Sequence, residues 1–170
     1  MSTHGEGHLG AVERLRAAKS LAEILATAAS FEQTARDFYT ALMPKVSKRI
    51  RWLVQELAEE ESRHYALFTE LAGRSDLAEQ LREQVAVPPT DRRFSDCIQL
   101  PDLGEAPDDQ TVLQYALGRE QAAMDQYRAL AEGTAPGPIH DLFLYLAHEE
   151  TEHKAELEKL YYEVVHSGGV

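Results

Sequence analysis

Hydrophobic residues recur at alternating steps of three and four along four segments of the chain, which is the spacing of a helix with one buried face. Local signals mark the ends of these segments. Ser20 followed by Glu23 is typical of a capping box at a helix start, and Pro44 interrupts the helix that follows. We therefore predict four helices, over about residues 20–43, 45–72, 108–132 and 138–165.

The stretch between the second and third helices lacks this regular spacing. We predict a short, weaker helix over residues 74–87 and a crossover that runs the length of the bundle over residues 88–107. The length of 170 residues fits one domain. We expect a partly disordered N-terminal extension over residues 1–19 and a bundle over residues 20–166. The predicted bundle consists of hairpins 20–73 and 108–166, joined by crossover 74–107.

The two predicted hairpins repeat each other in sequence. The segment FEQTARDFY from Phe31 matches REQAAMDQY from Arg119, and ESRH from Glu61 matches ETEH from Glu150. Hairpins related in this way can pack with approximate twofold symmetry. The sequence therefore predicts an all-α four-helix bundle made of two similar halves.

Each predicted helix carries a carboxylate in the middle of its buried face, and two helices add a histidine three residues later. These residues are Glu32, Glu61, His64, Glu120, Glu150 and His153. Four buried carboxylates without a cation would lose their hydration and repel one another. Two divalent ions would neutralise them, and the mixed oxygen and nitrogen ligands suit iron or manganese. The pattern is that of dinuclear carboxylate bundles.

Other polar residues near these six have alternative interpretations. Glu59, Glu60, Glu149 and Glu152 fall outside the buried stripes, and we predict that they lie on the surface. Tyr39 and Tyr127 lie seven residues after Glu32 and Glu120. They either hydrogen-bond carboxylates that surround and orient the metal ligands, or serve as core aromatics with a satisfied hydroxyl.

Composition excludes several classes of function. A net charge of −12 argues against a nucleic-acid partner, because phosphate binding needs clustered Lys and Arg. No apolar run is long enough to span a membrane, and the first residues lack a secretion signal. Cys97 is the single cysteine, which excludes an intrachain disulfide and a four-cysteine metal site. We therefore expect a cytoplasmic protein without a membrane partner.

The paired motifs resemble those of the ferritin-like superfamily, and within it the rubrerythrin-like and bacterioferritin-like di-iron proteins. The resemblance covers about residues 20–165. It implies a ferritin-like bundle with a long crossover between helices 2 and 3. It also implies that Glu61 and Glu150 bridge two iron ions, that Glu32 and His64 hold one ion, and that Glu120 and His153 hold the other.

The sequence departs from that superfamily at several points. It has no paired C-x-x-C motifs for a rubredoxin domain, and no clear fifth helix of the kind that cage-forming ferritins use. Rubrerythrins place an extra glutamate three residues after the third-helix ligand, where this chain has Ala123. Bacterioferritins often carry a haem-binding methionine where this chain has Ser62. The resemblance therefore implies two iron ions, with manganese possible, and no haem.

These observations predict a di-iron oxidoreductase of the ferroxidase or peroxidase type. Its partners would be O2 or H2O2 and an external electron donor. The alternatives are a non-catalytic metal buffer or sensor, a manganese catalase-like enzyme, and a bundle with an empty site that binds a partner protein. Trp52 and Tyr65 lie beside the buried stripe, where they either form the homodimer interface that we expect or pack on the helix flanks.

Overall fold

The computed structural model describes residues 18–86 and 103–167. Within them, four long helices confirm the four that the sequence predicts. The helices are α1 (Leu21–Leu42), α2 (Lys48–Ala72), α3 (Asp109–Gly133) and α4 (Pro138–Ser167). Two short strands, β1 (Ala18–Ser20) and β2 (Gln84–Ala86), and the 3-10 turns Met43–Lys45, Ser75–Leu77 and Gln80–Arg82 complete the described elements.

The helix ends follow from local sequence. The Ser20 side chain accepts a hydrogen bond from the backbone N–H of Glu23, and the Asp108 side chain accepts one from Thr111. Both are N-caps that satisfy an otherwise unpaired backbone donor. Helix α2 begins three residues later than predicted, because a 3-10 turn, Met43–Lys45, contains Pro44 and is followed by Val46 in extended conformation.

The predicted short helix over residues 74–87 is wrong. Two 3-10 turns and strand β2 occupy this stretch, and β2 pairs antiparallel with β1, with Ala18 opposite Ala86 and Ser20 opposite Gln84. The pairing gives the backbone of both strands hydrogen-bond partners that a one-turn helix would leave largely unmet. Buried Leu81 and Val85 then close the end of the bundle.

The helices pair as α1 with α2 and α3 with α4. Val85 lies beside Gly133 at the end of α3, whereas Leu103 packs at the opposite end, in the cluster that contains Val46. Val85 and Leu103 therefore lie at opposite ends of the bundle, as a crossover between α2 and α3 requires. Cys97 lies outside the described residues, and so does most of the predicted N-terminal extension. The predicted domain boundaries stay predictions.

The core consists of two apolar layers separated by a polar one. The first layer contains Leu21 to Phe31, Phe68, Ala123 to Ala131 and Ile139 to Ala147 among its buried apolar residues. The second contains Ala35 to Leu42, Ile50 to Ala58, Val112 to Ala116, Leu157 and Val164. Along every helix, the predicted metal ligands fall between these two layers. The fold thus places a charged cluster at mid-depth with hydrocarbon on both sides.

Candidate metal centre

The structure brings the six predicted ligands together. All four carboxylates and His64 are buried, and His153 is mostly buried. They form two groups whose candidate ligand atoms all lie within 4.8 Å of one another. We call the first group, Glu32, Glu61, His64 and Glu150, the four-residue position. We call the second group, Glu120, Glu150 and His153, the three-residue position.

Both imidazoles turn the same nitrogen toward the carboxylates. Nδ1 of His64 lies 3.4 Å from Glu150 Oε1 and 3.7 Å from Glu32 Oε2. Nδ1 of His153 lies 3.8 Å from Glu120 Oε2 and 3.8 Å from Glu150 Oε2. The Glu-x-x-His spacing produces this arrangement, because residues three apart on a helix lie on one face. Nδ1 is therefore the nitrogen that a metal ion would meet.

Seven of the candidate ligand atoms make no hydrogen bond to a described residue. Among the described residues, no hydrogen bond reaches Nδ1 of either histidine, either oxygen of Glu120 or Glu150, or Oε2 of Glu32. Buried polar atoms of this kind are costly unless something satisfies them. A pair of divalent ions would satisfy all of them at once, so the donor set fits a dinuclear centre.

Two further glutamates support the histidines, and their predicted place on the surface is wrong. Glu149 Oε2 accepts a hydrogen bond of 2.7 Å from His64 Nε2, and Glu60 Oε2 contacts His153 Nε2. Each lies on the flank of α2 or α4 that faces the neighbouring helix, so it reaches the histidine across the helix pair. A carboxylate can only accept, which fixes Nε2 as the N–H and leaves Nδ1 free for metal. Glu59 and Glu152 are exposed, as predicted.

These contacts shift the pKa values of the groups in the metal-free protein. Burial lowers the pKa of His64, but the hydrogen bond to Glu149 and the nearby carboxylate of Glu32 outweigh this effect and raise the pKa to about 9. Burial lowers the pKa of His153 as well, and Glu120 and Glu60 raise it to about 10. The hydrogen bond from His64 lowers the pKa of Glu149 to about 2. Both imidazoles are thus cationic at neutral pH until a metal replaces the proton.

The two tyrosines predicted to support the metal ligands differ in their contacts. The Tyr127 hydroxyl donates a short hydrogen bond to Glu32 Oε1, and burial raises its pKa well above the usual value. The Tyr39 hydroxyl is buried, but it makes no hydrogen bond at standard geometry to a described residue. Its ring packs edge-on against Phe38. Tyr127 therefore contacts a candidate ligand directly, whereas Tyr39 contributes to the core.

Sequence reasoning missed Arg119, which is 2% exposed and lies inside the cluster. Its Nη1 donates to Glu61 Oε1 at 3.0 Å, and its guanidinium stacks 4.2 Å from the centre of the Phe31 ring. A buried arginine requires carboxylate partners, and the cluster supplies them. The repeat contains the signal that could have found it, since Arg119 stands where the first half has Phe31.

The two positions consequently share one carboxylate. Glu150 belongs to both groups, whereas Glu61 belongs only to the four-residue position. The arrangement of Glu150 suits a bridge between two ions. The bridging role of Glu61, which the resemblance implies, stays a prediction.

Comparison with known families identifies the chain. The sequence model of the rubrerythrin family matches residues 23–98 and 111–167, which include all six candidate ligands. The chain belongs to the rubrerythrin family. No curated protein matches this rubrerythrin-family sequence.

A solved structure gives independent support for the fold. The rubrerythrin-family chain is similar to a Thermotoga maritima protein described as a ferritin-like diiron-carboxylate protein, with a TM-score of 0.64 and 20% identity. The match covers 85% of this chain and 96% of the other. At this identity the likeness establishes the ferritin-like fold. Family, fold and buried donor set together indicate a dinuclear carboxylate centre of the di-iron type.

This rubrerythrin-family chain differs at one position from the family pattern of carboxylate ligands. The residue one turn after Glu120 is Ala123, which is fully buried and belongs to the apolar layer next to the cluster. The position at which the resemblance expects a seventh carboxylate is thus hydrocarbon. Among residues 18–86 and 103–167, no helix has the length and apolar character of a membrane span.

Proposed function

We propose that this chain is a di-iron oxidoreductase that oxidises Fe(II) with O2 or H2O2, or reduces peroxide with electrons from an external donor. One observation carries the proposal: two groups of candidate carboxylate and imidazole ligands share Glu150, and seven of their buried atoms make no hydrogen bond to a described residue. Glu32, Glu61, His64 and Glu150 would hold one ion, and Glu120, Glu150 and His153 the other. Two adjacent iron ions together supply two electrons to the oxidant.

The protein's own residues prepare this chemistry in three ways. The apolar layers above and below the cluster exclude water from the ligands. Glu149 and Glu60 orient the two imidazoles through Nε2, so that Nδ1 faces the ions. Tyr127 holds Oε1 of Glu32, which leaves Oε2 directed into the cluster. Little has to reorganise when metal binds.

A small oxidant can approach from the groove between α2 and α4. A cavity of about 270 Å3 lies there, lined by Arg63, His64, Leu67, Tyr145 and Glu149 among others. It reaches the imidazole of the four-residue position from the surface. Its size suits O2 or H2O2, and its lining combines polar and apolar side chains. We propose this cavity as the entry route.

Stopped-flow absorbance with two Fe(II) per chain under air tests the proposal. We expect the protein to oxidise Fe(II) at least tenfold faster than the same buffer without protein. Glu150→Ala should abolish this acceleration, because it removes the shared ligand. Glu152→Ala, a substitution of an exposed glutamate on the same helix, is the matched control and should leave the rate unchanged.

The outcome also separates the competing functions. If the iron-loaded protein binds two ions but oxidises Fe(II) no faster than buffer, the oxidoreductase proposal fails and a metal buffer or sensor takes its place. Elemental analysis of the purified protein distinguishes iron from manganese. The homodimer and the cytoplasmic location remain proposals, and light scattering of the purified protein tests the first.

A further inference from the structure

The sequence repeat breaks at the residue before the first ligand of each half. Phe31 precedes Glu32 in the first half, and Arg119 precedes Glu120 in the second. Phe31 lies in an apolar layer, whereas Arg119 brings a permanent positive charge into the cluster. A perfectly repeated sequence would build two equal metal positions. Among the differences between the two halves, this one adds a charge to the cluster, so it is the place to look for inequality.

The Arg119 guanidinium faces three of the four carboxylates. It lies 3.0 and 3.4 Å from the two oxygens of Glu61, which is a forked interaction. It also lies 3.8 Å from Glu32 Oε2 and 3.8 Å from Glu120 Oε1. Arg119 thus acts as an internal counter-ion for the metal-free cluster, and Glu61 is its principal partner.

This contact makes the two halves of the centre differ. Glu61 is held in the four-residue position and does not enter the three-residue position. The hydrogen bond from Tyr127 to Glu32 forms, but its counterpart from Tyr39 to Glu120 does not. The Arg119 guanidinium lies 5.8 Å from the centre of the Tyr39 ring, on that side of the cluster. The asymmetry therefore follows the arginine.

We propose that Arg119 is a positioning residue that makes the two metal positions unequal. It reserves Glu61 for the four-residue position, which binds the first ion tightly. The three-residue position has one carboxylate fewer, because the forked interaction holds Glu61 away from it, so it binds the second ion weakly. The exposure of the two histidines supports the same order of affinity, since the side chain of His153 is 13% exposed and that of His64 is 2% exposed.

The inference assigns different tasks to the two ions. The ion in the four-residue position would stay resident, and the three-residue position would exchange its ion with solvent. If the protein oxidises Fe(II), the substrate iron enters and leaves there. The inference rests on the metal centre proposed above, but it does not depend on the oxidation chemistry. Metal binding alone therefore tests it.

An anaerobic titration of the metal-free protein with Mn(II), followed by the electron paramagnetic resonance signal of free aqueous Mn(II), measures both affinities. For the wild type we expect two steps, the first at least tenfold tighter than the second. In Arg119→Gln, which keeps a donor but loses the charge, the second step should strengthen until the two affinities differ by less than about threefold. Arg128→Gln, an exposed arginine on the same helix, is the matched control and should retain the wild-type ratio.

Two further variants keep the test decisive if Arg119→Gln does not fold. Arg119→Lys retains the charge without the fork, and its ratio should lie between those of the wild type and an equal pair. His153→Ala should remove only the weak step, and His64→Ala should remove the tight one. Equal wild-type affinities, an unchanged ratio in Arg119→Gln, or loss of the tight step in His153→Ala would overturn the role of Arg119. Absence of any Mn(II) binding would instead remove the metal centre itself.

Discussion

Nε2 of His64 lies 2.7 Å from Oε2 of Glu149, so a glutamate of α4 orients a candidate ligand of α2. The relationship is reciprocal, because Glu60 of α2 contacts His153 of α4 in the same way. Each supporting glutamate directly precedes a candidate ligand of its own helix, Glu61 or Glu150. Helices α2 and α4 therefore each orient the other's imidazole through a glutamate that belongs to neither candidate metal position.

Removing this support should weaken metal binding. In Glu149→Ala, Nε2 loses its acceptor and the ring loses its fixed orientation, so we expect Mn(II) affinity at the four-residue position to fall about 10- to 100-fold. Glu149→Gln keeps an acceptor oxygen and should lose less. Glu60→Ala should produce the mirrored effect at the three-residue position. Glu59→Ala and Glu152→Ala, exposed neighbours of the supporting residues, are the controls, and a comparable loss in either would contradict the assignment.

The two tyrosines should respond differently to the same small change. Tyr127→Phe removes the hydroxyl that donates to Glu32, and we expect about tenfold weaker binding at the four-residue position, since a hydrogen bond to a charged group contributes about 1.5–3 kcal/mol. Tyr39→Phe removes a hydroxyl without a hydrogen bond to the described residues and should change affinity less than threefold. Isothermal titration with Mn(II) measures both. Equal losses would show that the tyrosines act symmetrically.

The shared carboxylate gives a third prediction. Glu150→Ala removes a donor from both positions, so metal content should fall from two ions per chain toward none. Glu61→Ala removes a donor from the four-residue position only, and it also frees Arg119. We expect it to retain close to one ion per chain. Elemental analysis after equilibration at fixed free metal decides the matter, and retention of two ions in Glu150→Ala would exclude a shared role.

The buried stripes made the helices and the six ligands predictable. A residue that recurs with the apolar stripe must face the core, so Glu32 and Glu150 could be assigned from spacing alone. The β1–β2 pair could not, because three-residue strands have no period to detect. The pair forms only if the segment before α1 meets the segment that follows the 3-10 turns, and the packing of the hairpins decides this.

The supporting residues were missed for a different reason. Adjacent residues on a helix point about 100° apart, so Glu60 and Glu149 fall on flanks whose neighbour the sequence does not reveal. Arg119 directly precedes the buried Glu120, and charged residues beside a buried stripe are usually exposed. The repeat offered a clue in both cases. A glutamate precedes the Glu-x-x-His motif in both halves, whereas the counterpart of Arg119 is the uncharged Phe31.

Metal binding should depend strongly on pH. His64 and His153 have pKa values of about 9 and 10 in the metal-free protein, so each must lose a proton before Nδ1 can bind an ion. Between pH 6.5 and 8.5, Mn(II) affinity at each position should therefore rise about tenfold per pH unit. About two protons per chain should be released on loading near pH 7.5. Titration in buffers of different ionisation enthalpy counts them, and a pH-independent affinity would contradict the expectation.

Folding of the metal-free protein should have the opposite pH dependence. Both histidine pKa values are raised above the unfolded value of about 6.5. Their contribution to stability is therefore fully present below about pH 6.5 and is lost as the pH rises through 9 to 10. Thermal melts of chelated protein at pH 6.5, 8 and 9.5 check the sign. A melting temperature that rises across this range would show that other groups dominate.

Removing the metal should lower stability without unfolding the bundle. The two apolar layers remain packed in its absence, and Arg119 partly compensates the carboxylates, so circular dichroism of the chelated protein should still show a helical protein at 25 °C. An ion at 100 times its dissociation constant stabilises the fold by about 2.7 kcal/mol. For a chain of this size that corresponds to a rise of about 5–11 °C in melting temperature for each occupied position.

The rise in melting temperature should come in two stages as Mn(II) is increased, because the four-residue position fills first. In Arg119→Gln the two stages should merge, and the chelated form should melt lower than the chelated wild type, since its carboxylates have lost their internal counter-ion. A variant that melts higher than the wild type without metal would mean that burying Arg119 costs more than its pairing with Glu61 returns.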